Sequence, residues 1–355
     1  MTLVLLSDLH LEATFAWMGG APDARRRRRD ALRRVLQRIA DLAREREAEA
    51  LLCAGDLFDR PDPSPDTAAF VRRVFEELTP IRVFIAPGNH DWYGEGSFYA
   101  RATLSDNVHV FRGARFTPQP LSEGITLWGA AHCAPANTDG FFDSGFRADG
   151  PGIHLALFHG SERGWFTAQG GGKAPHAPFD EAQIPRSGLH HAFVGHYHNP
   201  KEGPYHTYPG NPEPLAFGET GVRGAVIVSL TPKGEVDKRE WVQVAVTPVH
   251  DLEVEVSGCA DRNAVQERVA DKLAGLGGIA RLRLVGELDE SVHLEEGDIS
   301  DVPSGLEALK VDLSGLRVAY DFDRIGQEQT VRGEFVRDVM TATDLSEVDK
   351  RRVLV

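Results

Sequence analysis

The chain has 355 residues, longer than a usual single core, so two domains or one domain with an appendage are expected. Its three cysteines, Cys53, Cys133 and Cys259, are odd in number and widely spaced, which argues against a disulfide framework and for a reducing compartment. A net charge of −14 sits poorly with tight binding to a polyanion, and no apolar run approaches the length that crosses a bilayer.

Leu3–Leu6 reads as a buried strand and runs into Asp8-Leu9-His10. No basic region precedes it, and cleavage of a signal peptide would remove Asp8, so a cytoplasmic protein is expected. Arg25 to Arg29, then Arg33, Arg34 and Arg38, lie on a helix whose apolar residues Leu32, Val35, Leu36, Ile39 and Leu42 recur at helical spacing. The basic face, Arg25 and Arg26 included, is either a phosphate-tracking patch or a solvated face paired with Glu45, Glu47 and Glu49. Strand Ala50–Ala54 leads to Gly55-Asp56-Leu57-Phe58-Asp59. A second amphipathic helix, Thr67–Leu78, precedes strand Ile81–Ala86 and Gly88-Asn89-His90-Asp91. Strands at Val108–Phe111 and Ile125–Ala130 follow, then Ile153–Phe158 with His159-Gly160. The Gly-rich loop Ser161–Pro178 carries Trp165 and Phe166. With Trp92 and Tyr93 these are the candidates for stacking on a base, ordinary packing being the competing role for each. Strand Ala192–Val194 ends in Gly195-His196-Tyr197-His198, and strands Ala225–Leu230 and Glu240–Ala245 complete an α/β fold of two sheets, an α/β/β/α sandwich.

Five segments thus place acid, histidine and asparagine side chains at the carboxyl ends of strands, where open α/β sheets build their sites. Imidazole, carboxylate and amide ligands without thiolate suit Mn²⁺, Fe²⁺ or Zn²⁺ and not a structural cysteine–zinc site. Two adjacent ions need a bridging carboxylate, and Asp56, after a strand and on a glycine turn, fits that part. Such a pair clamps a phosphate and generates hydroxide at neutral pH. Asn89 holds a metal without adding negative charge, and His90, next on the chain, is placed beside the ions for a general acid. A lone His10 or His159 would more often be a hydrogen-bonded core histidine; their joint occurrence after separate strands reverses that reading. The remaining histidines, His132, His176, His191 and His206 among them, are assigned to packing.

On these five segments the chain resembles the calcineurin-like metallophosphoesterases and, within them, the nuclease subunit of the SbcCD double-strand-break repair complex. The narrower likeness rests on the run from Tyr208 to Glu219 and on a C-terminal extension of capping-domain size. Asn211 stands where a serine is more usual, and Asp59 where some members have a histidine. The resemblance implies one ion held by Asp8, His10, Asp56 and His198 and a second by Asp56, Asn89, His159 and His196. Two Mn²⁺ are expected, with Fe²⁺, Zn²⁺ or Mg²⁺ taking the same site. It implies that His90 stabilises the transition state and protonates the leaving 3′ oxygen, that Asp91 orients His90, and that Asp59 places the nucleotide or buttresses the site. The implied activity is in-line attack of a metal-bridging hydroxide on DNA phosphodiesters: 3′→5′ exonuclease on duplex ends and endonuclease on single strands or hairpins, in double-strand-break repair. The implied assembly is a homodimer joined through the Thr67–Leu78 region.

The domain pattern read from the sequence is 1–247 for the two-metal phosphoesterase, 248–328 for a smaller α+β capping-like domain and 329–355 for a helical tail. The capping-like part carries strands at Leu252–Val256, Ile279–Val285 and Leu316–Phe322 and a helix at Asn263–Leu276. By resemblance the tail binds an SMC-type ATPase of the SbcC kind. Residues 1–247 hold 26 basic and 30 acidic side chains, whereas 248–355 hold 13 and 23, so most of the negative charge lies outside the proposed catalytic part. Two rival functions share the motifs: a phosphodiesterase of a small nucleotide or lipid-linked substrate, and a DNA-end tethering scaffold with a vestigial site.

Overall fold

The computed structural model describes residues 1–18, 22–137, 139–165 and 175–354. Phe166 and the glycines Gly170 to Gly172 lie outside the described residues. The chain divides into two compact units, Met1–His250 and Asp251–Val355.

The first unit opens with β1 (Thr2–Leu6), α1 (Pro22–Glu45), β2 (Ala50–Cys53), α2 (Pro65–Glu76), β3 (Arg82–Ile85), α3 (Phe98–Arg101) and β4 (Val108–Val110). A second set follows: β5 (Thr117–Ser122), β6 (Ile125–Gly129), β7 (Ile153–His159), α4 (Gln183–Arg186), β8 (His191–Gly195), β9 (Lys201–Glu202) and β10 (His206–Tyr208). β11 (Gly224–Leu230) and β12 (Val236–Gln243) then return to the first sheet, whose order is β12-β11-β1-β2-β3-β4. The second sheet has the order β5-β6-β7-β8-β10-β9. β1 to β4 run parallel, as do β6, β7, β8 and β10, so the carboxyl ends of the central strands in each sheet gather at one edge.

Strand alternation explains the layering. Leu3, Leu5, Leu52 and Phe84 of the first sheet meet Leu127, Leu155, Leu157 and Phe193 of the second in one apolar core. The alternate residues of the second sheet, Trp128, Ala156, Phe158, Ala192 and Val194, pack outward on Phe116, Phe142, Phe179 and Ile184. α1 buries Leu32, Val35, Leu36 and Ile39, a stripe at helical spacing, and packs on β1. The two-sheet sandwich read from the sequence is therefore the observed architecture.

Several boundaries differ from the sequence reading. α2 starts two residues earlier than Thr67, because Ser64 caps it by accepting from Thr67 N–H and Pro65 fits the first turn. β5 is not visible in the pattern: it carries Pro118 and Pro120, which only an edge strand tolerates.

The second unit contains β13 (Val249–Glu255), α5 (Arg262–Leu273), β14 (Gly277–Asp289), α6 (Glu296–Ser300) and β15 (Gly305–Ala319), with sheet order β13-β14-β15. β15 begins eleven residues before the expected Leu316 and does not reach Phe322, which starts a helix. Its side chains are mostly half-exposed, so the alternation that marks a half-buried strand is weak. α5 supplies Val265, Val269 and Leu273 to a core with Val254, Leu282 and Leu284. After β15 comes α7 (Phe322–Gly326), and the tail 329–355 forms α8 (Val331–Thr341) and α9 (Glu347–Leu354); all three belong to this unit. Among the described residues no helix is long and apolar enough to cross a membrane.

Candidate metal centre

Each strand that ends at the shared edge hands over to a turn that bends sharply. Asp8 (φ 55°), His10 (φ 48°), Asp56 (φ 52°) and His196 (φ 106°) all have left-handed backbone. Non-glycine residues adopt that conformation at a cost, and such strain collects at functional sites. The first two turns of the first sheet are laced together: Asp8 N–H donates to Gly55 O at 3.0 Å and His10 N–H to Asp56 O at 3.0 Å. The second sheet joins through His159 Nδ1, 2.8 Å from Ala54 O, and through His196 N–H, which donates to the Asp8 carboxylate at 3.1 Å. Gly88 must be glycine, since a Cβ there would collide with the Asp56 carboxylate.

Asp56 lies at the centre. Its Oδ2 is 3.2 Å from His159 Nε2 and 3.6 Å from His10 Nε2, and its Oδ1 accepts from the His90 backbone N–H at 2.9 Å. Asn89 Oδ1 is 3.1 Å from His159 Nε2. Three groups could each hold an ion, with ligand atoms within 4.8 Å of one another: Asp8, His10 and His198; His10, Asp56 and His90; Asp8, Asp56 and His159. The His159 and His196 rings are 5.2 Å apart, and those of His10 and His198 are 5.4 Å apart. All seven residues expected as ligands are thus brought together, Asn89 and His196 through their contacts with His159 and Asp8, and Asp8, His10 and Asp56 are each common to two of the groups.

The arrangement fits cations. With its Nδ1 2.8 Å from Ala54 O, His159 turns Nε2 towards two oxygens, of Asp56 and Asn89, an arrangement that a proton or a cation among them satisfies. His10 Nε2 is buried without a hydrogen-bond partner beside Asp56. Burial opposes a charged imidazole at both histidines. Even so, Asp59, Asp56 and Asp8 raise His10, and Asp56 and Asp8 raise His159. Burial likewise opposes the charged form of Asp56, yet His159 and His10 hold its carboxyl well below the usual range. The pocket favours positive charge, which divalent ions supply.

The roles around His90 differ from the expectation. The His90 side chain is 45% exposed, its ring is 4.6 Å from that of His10, and its Nδ1 is 3.3 Å from Asp59 O and 3.8 Å from Asp59 Oδ1. Asp91 does not orient it. The Asp91 carboxylate is turned inward, accepting from Gly88, Asp56 and Leu57 N–H at 2.7–3.1 Å and from the Tyr99 hydroxyl at 2.7 Å. It therefore ties the second and third turns together, a more local demand than reaching the next side chain. Asp59 stands beside both His90 and His10, 3.1 Å from His10 Nδ1.

A cavity of about 200 Å³ is lined by His10, Asp56, Asn89, His90, His176, His196 and His198. His176, assigned from sequence to packing, is at its wall, 5.4 Å ring to ring from His196. His132 sits beneath, with Nε2 2.7 Å from His159 O, and burial lowers its pKa to about 4. Trp92, Tyr93 and Trp165 are not in the wall. Trp165 packs on Tyr197 at 5.1 Å and lies under the Lys201 ammonium at 4.8 Å. Arg25 and Arg26 do not line it either, and Arg26 pairs with Asp23 at 3.1 Å. Their neighbour Arg28 is fully buried on Glu213, Thr247 and Pro214 O. It precedes Leu32 by four, so it falls on the apolar stripe, a signal that was available in the sequence. Glu219 was not singled out as a site residue; its Oε1 is 2.6 Å from His198 Nδ1.

Residues 1–200 match the calcineurin-like phosphoesterase family. The chain belongs to that family. Its members are hydrolases of phosphoesters that use divalent metals, which the candidate ligands here suit. The uncharacterized metallophosphoesterase YhaO of Bacillus subtilis (strain 168) is 26% identical over 326 residues, covering 87% of this chain and 77% of that protein. Among solved structures, TT1561 of Thermus thermophilus is similar at 15% identity with a TM-score of 0.42, covering 68% of this phosphoesterase and 98% of that chain.

Proposed function

We propose that this phosphoesterase is a cytoplasmic, Mn²⁺-dependent DNA nuclease of the SbcD kind, cutting phosphodiesters at duplex ends and in single strands. The supporting observation is the size of the site: about 200 Å³ among the described residues has room for ions and a phosphate group. Pockets that enclose a small-molecule ligand run to about 300–1,000 Å³. The sugars and bases of the substrate then lie over the rim, as in a polymer. A pair of divalent ions, held by Asp8, His10, Asp56, Asn89, His159, His196 and His198, supplies Lewis acidity and a nucleophile at neutral pH. His90, half-exposed at the rim, gives a proton to the departing oxygen, with Asp59 beside its Nδ1. Asn89 contacts the site without adding charge that would repel a phosphate.

The same reading has the chain working as a homodimer joined around Thr67–Leu78 and docking an SMC-type ATPase on its tail. Val331, Phe335, Met340 and Val348 are exposed there. A monomer by light scattering at micromolar concentration counts against the dimer. The net charge of −14 favours a second reading, a phosphodiesterase of small nucleotides, because weak attraction for duplex follows from it. The deciding experiment is a matrix of metals against linear duplex, single strand, cyclic nucleotide and a chromogenic bis-phosphodiester. Mn²⁺-dependent cleavage of duplex supports the nuclease; turnover of the small diesters alone overturns it.

A further inference from the structure

The run from Tyr208 to Glu219 passes directly beneath His198. Gly210 is left-handed (φ 75°), and a Cβ there would sit 2.6 Å from His198 O. The next residue, Asn211, donates its backbone N–H to the same carbonyl at 3.0 Å. The Asn211 side chain is fully buried and uses both ends: Nδ2 donates to Glu219 Oε2 at 2.6 Å and to Glu213 O at 3.0 Å, and Oδ1 accepts from Arg223 at 2.6 Å. Arg223 also donates to His198 O and, at 2.8 Å, to Asn199 Oδ1. Glu219 Oε2 takes a further bond from Leu215 N–H at 2.6 Å, which leaves Oε1 for His198 Nδ1.

Three of these bonds meet on one carboxylate: Asn211 Nδ2 and Leu215 N–H hold Glu219 Oε2, and Oε1 faces the His198 imidazole. The carboxylate accepts Nδ1–H of His198, which fixes the tautomer and puts the lone pair on Nε2. A hydroxyl at position 211 has a single hydrogen to give, whereas the amide gives two, to Glu219 and to Glu213 O, while its oxygen receives Arg223. Orienting a metal-ligating histidine and raising its basicity is what such a carboxylate does well.

We propose that Glu219 is a positioning residue that sets the tautomer and direction of His198, and that Asn211 and Arg223 hold Glu219 to that task. The proposal rests on His198 being a metal ligand and is independent of whether the substrate is DNA or a small diester. The test uses the full chain and the metals alone: titration calorimetry with Mn²⁺, and the visible absorption of bound Co²⁺, for the wild type, E219A, E219Q and N211S. E219A is expected to weaken one binding event by about 10–100-fold and to alter the Co²⁺ spectrum. E219Q keeps an acceptor for Nδ1–H without the charge, so it recovers the spectrum in part, and N211S gives an intermediate loss. E219Q and N211S leave buried donors or acceptors unpaired, so both are expected to melt a few degrees lower without metal while staying folded at the titration temperature. Unchanged affinity and spectrum in E219A overturn the proposal. So does wild-type binding by folded E219Q and N211S where E219A alone unfolds. If the wild type binds neither ion, the metal reading itself fails.

Discussion

The two compact units differ most in what they bury. In Met1–His250 the interior contains Asp8, Asp56, Asp91, His159, Glu213 and Arg28, each no more than 2% exposed. In Asp251–Val355 every buried side chain among the described residues is apolar or a cysteine, from Val254 to Val339. The left-handed non-glycine residues among the described residues all precede Asp251 as well. Burying a charge costs several kcal/mol unless a partner or an ion answers it. Four of these six, Asp8, Asp56, Asp91 and His159, belong to the turns of the candidate metal centre, whereas Arg28 and Glu213 answer each other, and the acidic excess of the second unit lies on its surface.

The contrast can be broken at the centre of the first unit. Asp56→Ala is expected to reduce metal-dependent diester hydrolysis to background and to weaken binding of the divalent ions, both read by a chromogenic diester assay and calorimetry. Retained turnover would remove Asp56 from the site. His90→Ala should lower kcat by about 10²–10⁴-fold while the protein keeps its metal content. The loss should be smaller for a nitrophenolate leaving group, which needs no proton. Equal losses for good and poor leaving groups would take the general-acid role away from His90.

Buried and surface charge can be compared directly. Arg28→Met strands Glu213 in the core and is expected to cost about 3–5 kcal/mol in urea unfolding. Arg281→Met, which breaks the exposed pair with Asp251 in the second unit, should cost no more than about 1 kcal/mol. Similar costs at the two positions would dissolve the distinction. The smallest effect concerns pH. His191 is buried, and burial, aided by Arg239 and His206, lowers its pKa to about 3 from 6.5. Between those values the unfolded chain binds a proton that the folded chain refuses, so stability falls as the pH drops from 6.5 towards 3 and is unaffected above it. His191→Gln should flatten the dependence of the melting temperature on pH in that window, and an unchanged slope would clear His191 of it.

Much of the site was legible because its signals are local. A strand shows its period within five residues, and a Gly-Asp turn or an Asn-His pair lies next to it on the chain. Arg28 was legible in principle by its place four before Leu32, but a charged residue on an apolar stripe is easily read as part of the basic face around it. The role first given to Asp91 was misplaced because adjacency to His90 on the chain says nothing about which way a carboxylate turns when five buried donors are nearer the interior. The Tyr208–Glu219 run, read from sequence as a mark of the substrate, is in the structure a brace for His198 and Arg28.

From sequence alone came the layered α/β architecture, the candidate ligand types and the strands that carry them, since hydrophobic period and turn chemistry are written in neighbouring residues. Only the tertiary structure decided what stands behind the ligands. Glu219 is 21 positions from His198 and Glu213 is 185 from Arg28. A periodic pattern reports that a face is buried; which group meets it there depends on how the sheets and the loops beneath them stack.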